Sequence, residues 1–345
     1  MENFAFIIHP LDSRRDVARR YPVLAQLLAP PLIRLLARLW PPLVLSHVVG
    51  VRSRQSGDRA EGWLLACPLT AVQMLELPPQ AVYDKVVQTG RLAQKQGARI
   101  LGLGAFTSVV GDGGVTIAQR LNMPVTTGNS LTVGLAVESL MKAADQLGLV
   151  VETATAAVVG ASGSIGLGCA ELLAPLVERL ILVGRREIHL SQARAQAEAA
   201  GAAKVRMSTN VSAVVEADLV LSATSASHPL LYPRHLKRNA LVCDIALPPD
   251  VAPEVKQERR DVTVIQGGVV EVPGPADFGF DFGLPPGLAY ACMAEAIVLA
   301  LEGRYESFSL GQKVYTDAVH EITQLAYQHG FRLLDQVGSE EAQNA

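Results

Sequence analysis

The segment Gly160-Ala161-Ser162-Gly163-Ser164-Ile165-Gly166 constrains this chain more than any other part of it. It follows a Val-rich run, Ala156 to Val159, and opens a stretch with helical apolar spacing that starts at Ser164. Glycines at these points let a backbone come close to a pyrophosphate, while the first N–H groups and the dipole of the helix face its negative charge. The glycine spacing alone is a weak signal. A strand before it, a helix after it and a second strand ending at Arg185-Arg186 make it specific.

The surrounding pattern agrees. Strands are expected at Ala156–Val159, Leu180–Val183, Lys204–Met207, Leu219–Ser222, Leu241–Asp244 and Val262–Ile265, with helices from Ser164 and over Leu190–Ala200. Parallel strands alternating with helices imply an α/β fold with a Rossmann-type doubly wound sheet. At 345 residues the chain has room for two domains. An N-terminal α/β substrate domain is expected over 1–150 and the dinucleotide-binding domain over 151–303, with C-terminal helices within 304–340 returning to the first. In the N-terminal part a strand is expected over Phe4–Ile8, a helix over Gln80–Gln96 closed by Gly97, a strand over Arg99–Leu103, and a helix over Ser130–Leu147. That last helix carries Val133, Val137, Leu140, Met141 and Ala144 on one stripe. Residues 287–303 and Gly311–Gly330 also read as helices.

The second strand decides the cofactor. Enzymes that take NAD commonly place an acidic residue at its end for the ribose 2′-hydroxyl, whereas Gly184-Arg185-Arg186 offers guanidinium groups that pair with a 2′-phosphate. NADPH is therefore expected, held by Gly160, Ser162, Gly163, Ser164, Ile165, Gly166, Arg185 and Arg186; two arginines merely solvated at a strand end are the alternative. Ser222, Ala223, Thr224, Gly267 and Gly268 follow later strands and are assigned to the nicotinamide end on topology alone.

Composition closes off other classes. A net charge of −3 and no Lys/Arg block argue against nucleic acid. Cys67, Cys169, Cys243 and Cys292 are far apart, which argues against a disulfide framework or structural zinc and fits a reducing cytoplasm. The seven His show no metal-ligand spacing, and the N-terminus lacks the charged region of a signal peptide. Tyr21–Val51 is rich in Leu, Val and Pro, but Pro30-Pro31, Pro41-Pro42, Arg34 and Arg38 break any spanning run. Short core helices are expected there; a peripheral membrane contact is the alternative. A helix after the Ser13/Asp16 capping pair would carry Arg14, Arg15, Arg19 and Arg20, either as a solvated face or as a dock for an acidic carrier.

Cys292, within Ala291-Cys-Met-Ala-Glu-Ala296, lies near the start of an apolar helix, where the dipole can lower a thiol pKa. On chemistry alone its Ala, Met, Ile and Val neighbours favour a small buried core residue. The motifs Gly104-Ala-Phe-Thr-Ser108, Thr126-Thr-Gly-Asn-Ser130, Val158-Val-Gly-Ala-Ser-Gly-Ser-Ile-Gly166, Gly267-Gly-Val-Val-Glu271, Ala291-Cys-Met-Ala-Glu-Ala296 and Glu302-Gly303 tip that balance. In this order the chain resembles, across most of its length, the aldehyde-forming long-chain acyl-(acyl carrier protein) reductases and their relatives described as amino-acid dehydrogenases.

The resemblance implies that Cys292 attacks an acyl thioester of acyl carrier protein or coenzyme A and that NADPH reduces the acyl-enzyme to a fatty aldehyde. An oxyanion would need donors, for which Asn129, Ser130, Thr107 and Ser108 are candidates; Asn129 and Ser130 equally sit where a helix cap belongs. The Pro-, Gly- and Phe-rich segment 272–287 and the apolar 21–51 region depart from the family, and both could line the acyl site. Cys67, Cys169 and Cys243 read as core, and His9 and His320 as ordinary packing or surface residues with an acid/base role as the alternative. Two competing readings are a non-covalent shikimate- or amino-acid-dehydrogenase-like hydride transfer and a non-catalytic NADPH and acyl sensor. The first would need a Lys/Asp pair that Lys85, Lys95 and Lys142 do not supply.

Overall fold

The computed structural model describes residues 2–10, 30–202 and 204–337. The Arg14–Arg20 helix expected from the capping pair, and the start of the Tyr21–Val51 region, lie outside them.

The strands of the two larger sheets are β1 (Glu2–Ile8), β2 (Leu43–Arg52), β3 (Arg59–Ala66), β4 (Leu101–Leu103), β5 (Val125–Thr126), β6 (Thr155–Val159), β7 (Arg179–Val183), β8 (Val205–Ser208), β9 (Leu219–Ser222), β10 (Leu241–Asp244) and β11 (Thr263–Gln266). The helices used below are α1 (Pro79–Lys95), α2 (Phe106–Val109), α3 (Asn129–Gln146), α4 (Ser164–Leu173), α5 (Glu187–Ala199), α6 (Ala291–Leu301) and α7 (Thr316–His329). Two compact units emerge: Met1–Gly128 with Glu271–Gly311 and Gln324–Arg332, and Asn129–Val270 with Gln312–Thr323 and Leu333–Ala345. The divisions expected at 150 and 303 thus fall at 128 and 270. Helix α3 joins the second unit because its apolar side chains share a core with β6, β7, β9 and β10. Segment 271–311 joins the first because α6 packs on β1, β3 and β4.

In the first unit the strand order is β2-β3-β1-β4-β5, with only β2 antiparallel to its neighbour. Alternation sorts β1 onto two faces. Ala5 and Ile7 join a core with Val82, Val86 and Leu121, whereas the Phe4 and Phe6 rings lie over Gly62 and Gly102 on the opposite face. A methyl at Gly102 would come within 2.4 Å of the Phe6 ring and 3.1 Å of Ala296 Cβ. Glycine there is what lets a phenylalanine and α6 share one layer on the sheet.

The Tyr21–Val51 expectation of core helices is corrected at its end, where Leu43–Arg52 is the edge strand β2. The 272–287 segment covers that edge. Val49 and Asp277 exchange backbone hydrogen bonds of 2.9 Å, Arg52 N–H donates to Pro273 O at 3.0 Å, and the Pro275 carbonyl packs where a Gly50 side chain would stand. Free N–H and C=O groups of an exposed edge are thereby paired.

The second unit is a six-stranded parallel sheet in the order β11-β10-β9-β6-β7-β8, the doubly wound arrangement. Its inner strands are largely apolar because both faces are buried: Val158, Leu182, Leu221 and Cys243 on one side, Val159, Val183, Val220 and Val242 on the other. Helix α3 is buried over more than the expected stripe, with Leu131, Leu135, Ala136 and Ser139 also enclosed. Two expected helices are shorter than the pattern suggested. Residues Leu288–Tyr290 are extended before α6, and α7 begins at Thr316.

Gly62 has three Phe4 ring atoms within 2.6 Å of any added Cβ. Gly62→Ala is expected to destabilise the protein by about 1–3 kcal/mol, read as a lower midpoint in urea denaturation. Phe4→Leu in the same chain should recover part of that loss, a coupling that independent effects would not show.

Candidate active site

Cys292 is the second residue of α6, whose N-cap is Tyr290. It keeps a partly exposed surface while the rest of α6 is buried, and Cys67, Cys169 and Cys243 are fully enclosed. The lowering that a helix dipole can bring to a thiol does not prevail here. Burial pushes the Cys292 thiol up to about 12, the N–H groups of Met293, Cys292 and Ala105 pull it down, and the charge of Glu295 pushes it up. Loss of water outweighs three N–H donors, so the resting group is a thiol.

Three segments of the first unit define its surroundings. Gly128 (φ +74) follows β5 and lies so close that a Cβ on it would be 2.2 Å from Cys292 Cα and 2.4 Å from Cys292 Cβ. Its N–H donates to Thr126 Oγ1 at 3.2 Å, and that hydroxyl donates in turn to Glu295 Oε1. Glu295, one turn along α6 from Cys292, has no exposed surface. The turn after β4 supplies the third segment: Ala105 takes φ 46° and ψ −123°, a strained conformation for a residue with a Cβ.

His9 braces that turn. Its Nε2 accepts the Phe106 N–H at 3.1 Å and its Nδ1 lies 3.1 Å from Pro10 O, so the proton sits on Nδ1 and the ring holds the backbone in place. The hydroxyls of Thr107 and Ser108 donate to Gly104 O at 2.8 Å and Ala105 O at 2.7 Å. They are engaged within the turn, which corrects their candidacy as oxyanion donors; the Ala105 N–H faces the sulfur instead. No pattern in the residues themselves signals this, because an alanine in a positive-φ turn looks like any other alanine.

The glycine loop is built in the second unit. Gly160 (φ +86) ends β6, and a side chain there would strike Ala223 O at 2.4 Å, at the point where the strand order reverses between β6 and β9. Gly166 would strike Gly160 O at 2.2 Å, so it serves the tight fit of α4 on the loop. Gly163, the N-cap of α4, meets only Gly160 O at 3.4 Å and is exposed, with Ser162 exposed and Ser164 and Ile165 part-exposed beside it. An open, side-chain-free helix start suits a pyrophosphate. Arg185 and Arg186 are exposed after β7 and form no ion pair among the described residues.

Asn129 and Ser130 are the first two residues of α3, both buried, and Asn129 Nδ2 donates to Ser164 Oγ at 3.2 Å. Asn129 therefore braces the start of α4. Gly267 and Gly268 are buried; a Cβ at Gly267 would meet Cys243 Sγ at 2.4 Å and Ile245 Cγ2 at 2.5 Å, so packing demands glycine there. Among the described residues no group of three or more His, Cys, Asp or Glu could hold a metal ion, and no helix is long and apolar enough to cross a membrane.

A buried acid pair stands at the ends of β9 and β10. Asp250 accepts from Ser222 Oγ at 2.7 Å and from Thr224 N–H at 3.1 Å and Oγ1 at 2.5 Å. Asp244 accepts from Ala246 N–H at 3.0 Å and Val251 N–H at 2.9 Å. The hydroxyls assigned from topology to the nicotinamide end are thus bound to Asp250, which leaves backbone and the Ala223 methyl as the surfaces that segment can offer. Burial pushes Asp244 up to about 6, with the Asp250 charge adding to it, and Asp250 is raised by burial as well. A raised folded pKa means that the native state holds the proton more tightly. Its contribution is full below about pH 4 and is lost as pH rises through about 6, amounting to roughly 3 kcal/mol at most. In Asp244→Asn, the stability difference from wild type should shift in favour of the mutant across that window, as read by urea denaturation at pH 4.5 and 7.5.

Comparison with known proteins adds to this geometry. Residues 142–266 match the shikimate / quinate 5-dehydrogenase family. The chain is 32% identical over 286 residues to the aminotransferase PigE of a Serratia species, spanning 80% of this chain and 33% of that protein, about a third of its length. The long-chain acyl-[acyl-carrier-protein] reductase of Synechococcus elongatus is 31% identical over 265 residues, covering 72% of this chain and 76% of the enzyme. A Listeria monocytogenes shikimate 5-dehydrogenase structure aligns over 93% of this chain and 96% of its own at 12% identity and a TM-score of 0.38. The chain belongs to the oxidoreductase family of that Synechococcus long-chain acyl-[acyl-carrier-protein] reductase, with a nucleotide-binding segment of the shikimate/quinate dehydrogenase type.

Proposed function

We propose that the protein reduces a long-chain acyl thioester, carried by acyl carrier protein or coenzyme A, to a fatty aldehyde through an acyl group held on Cys292. The observation that carries this reading is the setting of the thiol. It is a partly exposed cysteine at the head of a buried helix, with the N–H groups of Met293, Cys292 and Ala105 around its sulfur. A sulfur so surrounded is also where a carbonyl oxygen could develop negative charge next to fixed backbone donors. Family membership supports the same substrate class.

When bound, NADPH would supply hydride. The chain's part is to hold it: Gly163 with the first N–H groups of α4 toward the pyrophosphate, and the exposed guanidinium groups of Arg185 and Arg186 toward a 2′-phosphate. Cys292 keeps the acyl carbon attached while it is reduced, and leaves as a sulfur anion that the surrounding N–H groups receive. The ordered 272–287 segment brings an aromatic cluster, Phe278, Phe282 and Tyr290, onto the chain just before Cys292, with ring centroids 5.2 and 6.1 Å apart. We assign it to the wall of the acyl site.

Intact-protein mass spectrometry after mixing with long-chain acyl-coenzyme A or acyl carrier protein tests the covalent step. Wild type should gain a hydroxylamine-labile acyl mass that disappears as NADPH is oxidised, and Cys292→Ala should gain none. An adduct absent with both carriers, in protein that binds NADPH, would rule the mechanism out. In steady-state assays, Arg185→Ala with Arg186→Ala should lower kcat/KM for NADPH by about tenfold or more while leaving that for NADH within about twofold.

A further inference from the structure

We propose that Glu295 is the proton acceptor for Cys292, taking the thiol proton as the sulfur attacks and returning it to the departing carrier sulfur. This rests on the covalent reading above and adds to it a residue that the thiol needs.

The argument begins with an oddity of composition. Helix α6 reads Ala-Cys-Met-Ala-Glu-Ala-Ile-Val-Leu-Ala-Leu, and Glu295 is its one ionisable carboxyl, enclosed without any exposed surface. A carboxylate withdrawn from water is costly unless it is held by donors and serves a purpose. The spacing of three residues puts it on the same side of the helix as Cys292, one turn away. Thr126 Oγ1 donates to its Oε1, and the same hydroxyl accepts the N–H of Gly128, whose Cα packs on the Cys292 backbone. The network therefore runs from Glu295 through Thr126 to Gly128, which packs on the Cys292 backbone, and the Glu295 charge is close enough to act on the thiol.

The thiol requires an acceptor, since burial keeps it protonated. His9, the other titratable side chain at this turn, has its Nε2 lone pair on the Phe106 N–H. The strands packed on α6 bring few other charges. Glu2 on β1 is paired with Arg99, Glu61 on β3 with His47, and Arg59 on β3 is exposed; β4 has no ionisable side chain, and Tyr290 precedes the helix.

The exchange balances without an oxidant or reductant. The Cys292 sulfur bonds to the acyl carbon as its proton passes to Glu295, the bond from that carbon to the carrier sulfur breaks, and the carrier leaves as a thiol carrying the proton from Glu295.

The test needs no acyl substrate, so it stands apart from the substrate reading. The rate of iodoacetamide alkylation at Cys292 is measured by peptide mass spectrometry from pH 5 to 9 in the full chain. For wild type, the anion-plus-acid form of the pair has a pH-independent population between its two titrations, and the rate should be flat across neutral pH. Glu295→Gln keeps an acceptor for Thr126 Oγ1, and should slow alkylation at pH 7 by roughly 100-fold and make it rise tenfold per pH unit. If Glu295 acts only as a nearby negative charge, the same substitution makes the thiol more acidic and alkylation equal or faster, which overturns the proposal. Should Glu295→Gln fail to fold, Thr126→Val decides. Removing the hydroxyl raises the proton affinity of the carboxylate and should move the acid limb of the profile to higher pH; an unmoved limb overturns the proposal as well.

Discussion

Gly128 has no side chain, and the head of α6 can stand against the end of β5 only for that reason. A methyl group there would occupy the space of Cys292 Cα and Cβ. Once the backbone of one segment packs on the backbone of another, the polar groups at the contact must find partners away from water, and they do so in sequence: Gly128 N–H to Thr126 Oγ1, and Thr126 Oγ1 to the Glu295 carboxyl. The protonation of Cys292 and the burial of Glu295 go with this contact. A thiol enclosed in this way loses hydration that three N–H donors do not replace, which is why the helix start does not hold a resting thiolate.

The second unit uses glycine to the same end. Gly160 and Gly166 are forced by carbonyl oxygens about 2 Å from where a Cβ would be, whereas a Cβ at Gly163 would meet only Gly160 O, at 3.4 Å. Only the last has the freedom that a ligand would exploit; the others allow the loop to be tight enough to present it. Polar residues near the loop are largely committed inward. Asn129 holds Ser164, and Asp250 gathers Ser222 and Thr224. Segments that present a site are held rigid by hydrogen bonds behind them, which makes the hydroxyls poor guides to what a ligand touches.

The doubly wound sheet was legible because parallel strands buried on both faces must be largely apolar, and Ala156–Val159, Leu180–Val183 and Leu219–Leu221 are. The glycine loop was legible because few loops need glycine at that spacing between a strand and a helix. The domain boundary was misplaced because α3 carries apolar residues on most of its surface, so periodicity alone does not say which sheet it joins. Thr107, Ser108 and Asn129 were singled out by residue type and Ser222 by its place after a strand, and hydroxyl and amide groups bond to whatever lies nearest. Glu295 did leave a trace, a lone carboxyl in an apolar helix, but a lone charge in a sequence does not reveal whether it is solvated, paired or enclosed.

By itself the sequence determined what depends on local spacing: alternation along strands, the helix-start glycines and the two arginines after β7. Tertiary structure decided what depends on residues distant along the chain. It brought Gly104–Ser108, Thr126–Gly128 and Cys292–Glu295 to one place, and left the thiol a protonated group near a buried carboxyl. The reason is physical: proton affinity is set by how much water remains and which charges stand within a few ångströms. Both are properties of packing, which no linear spacing encodes.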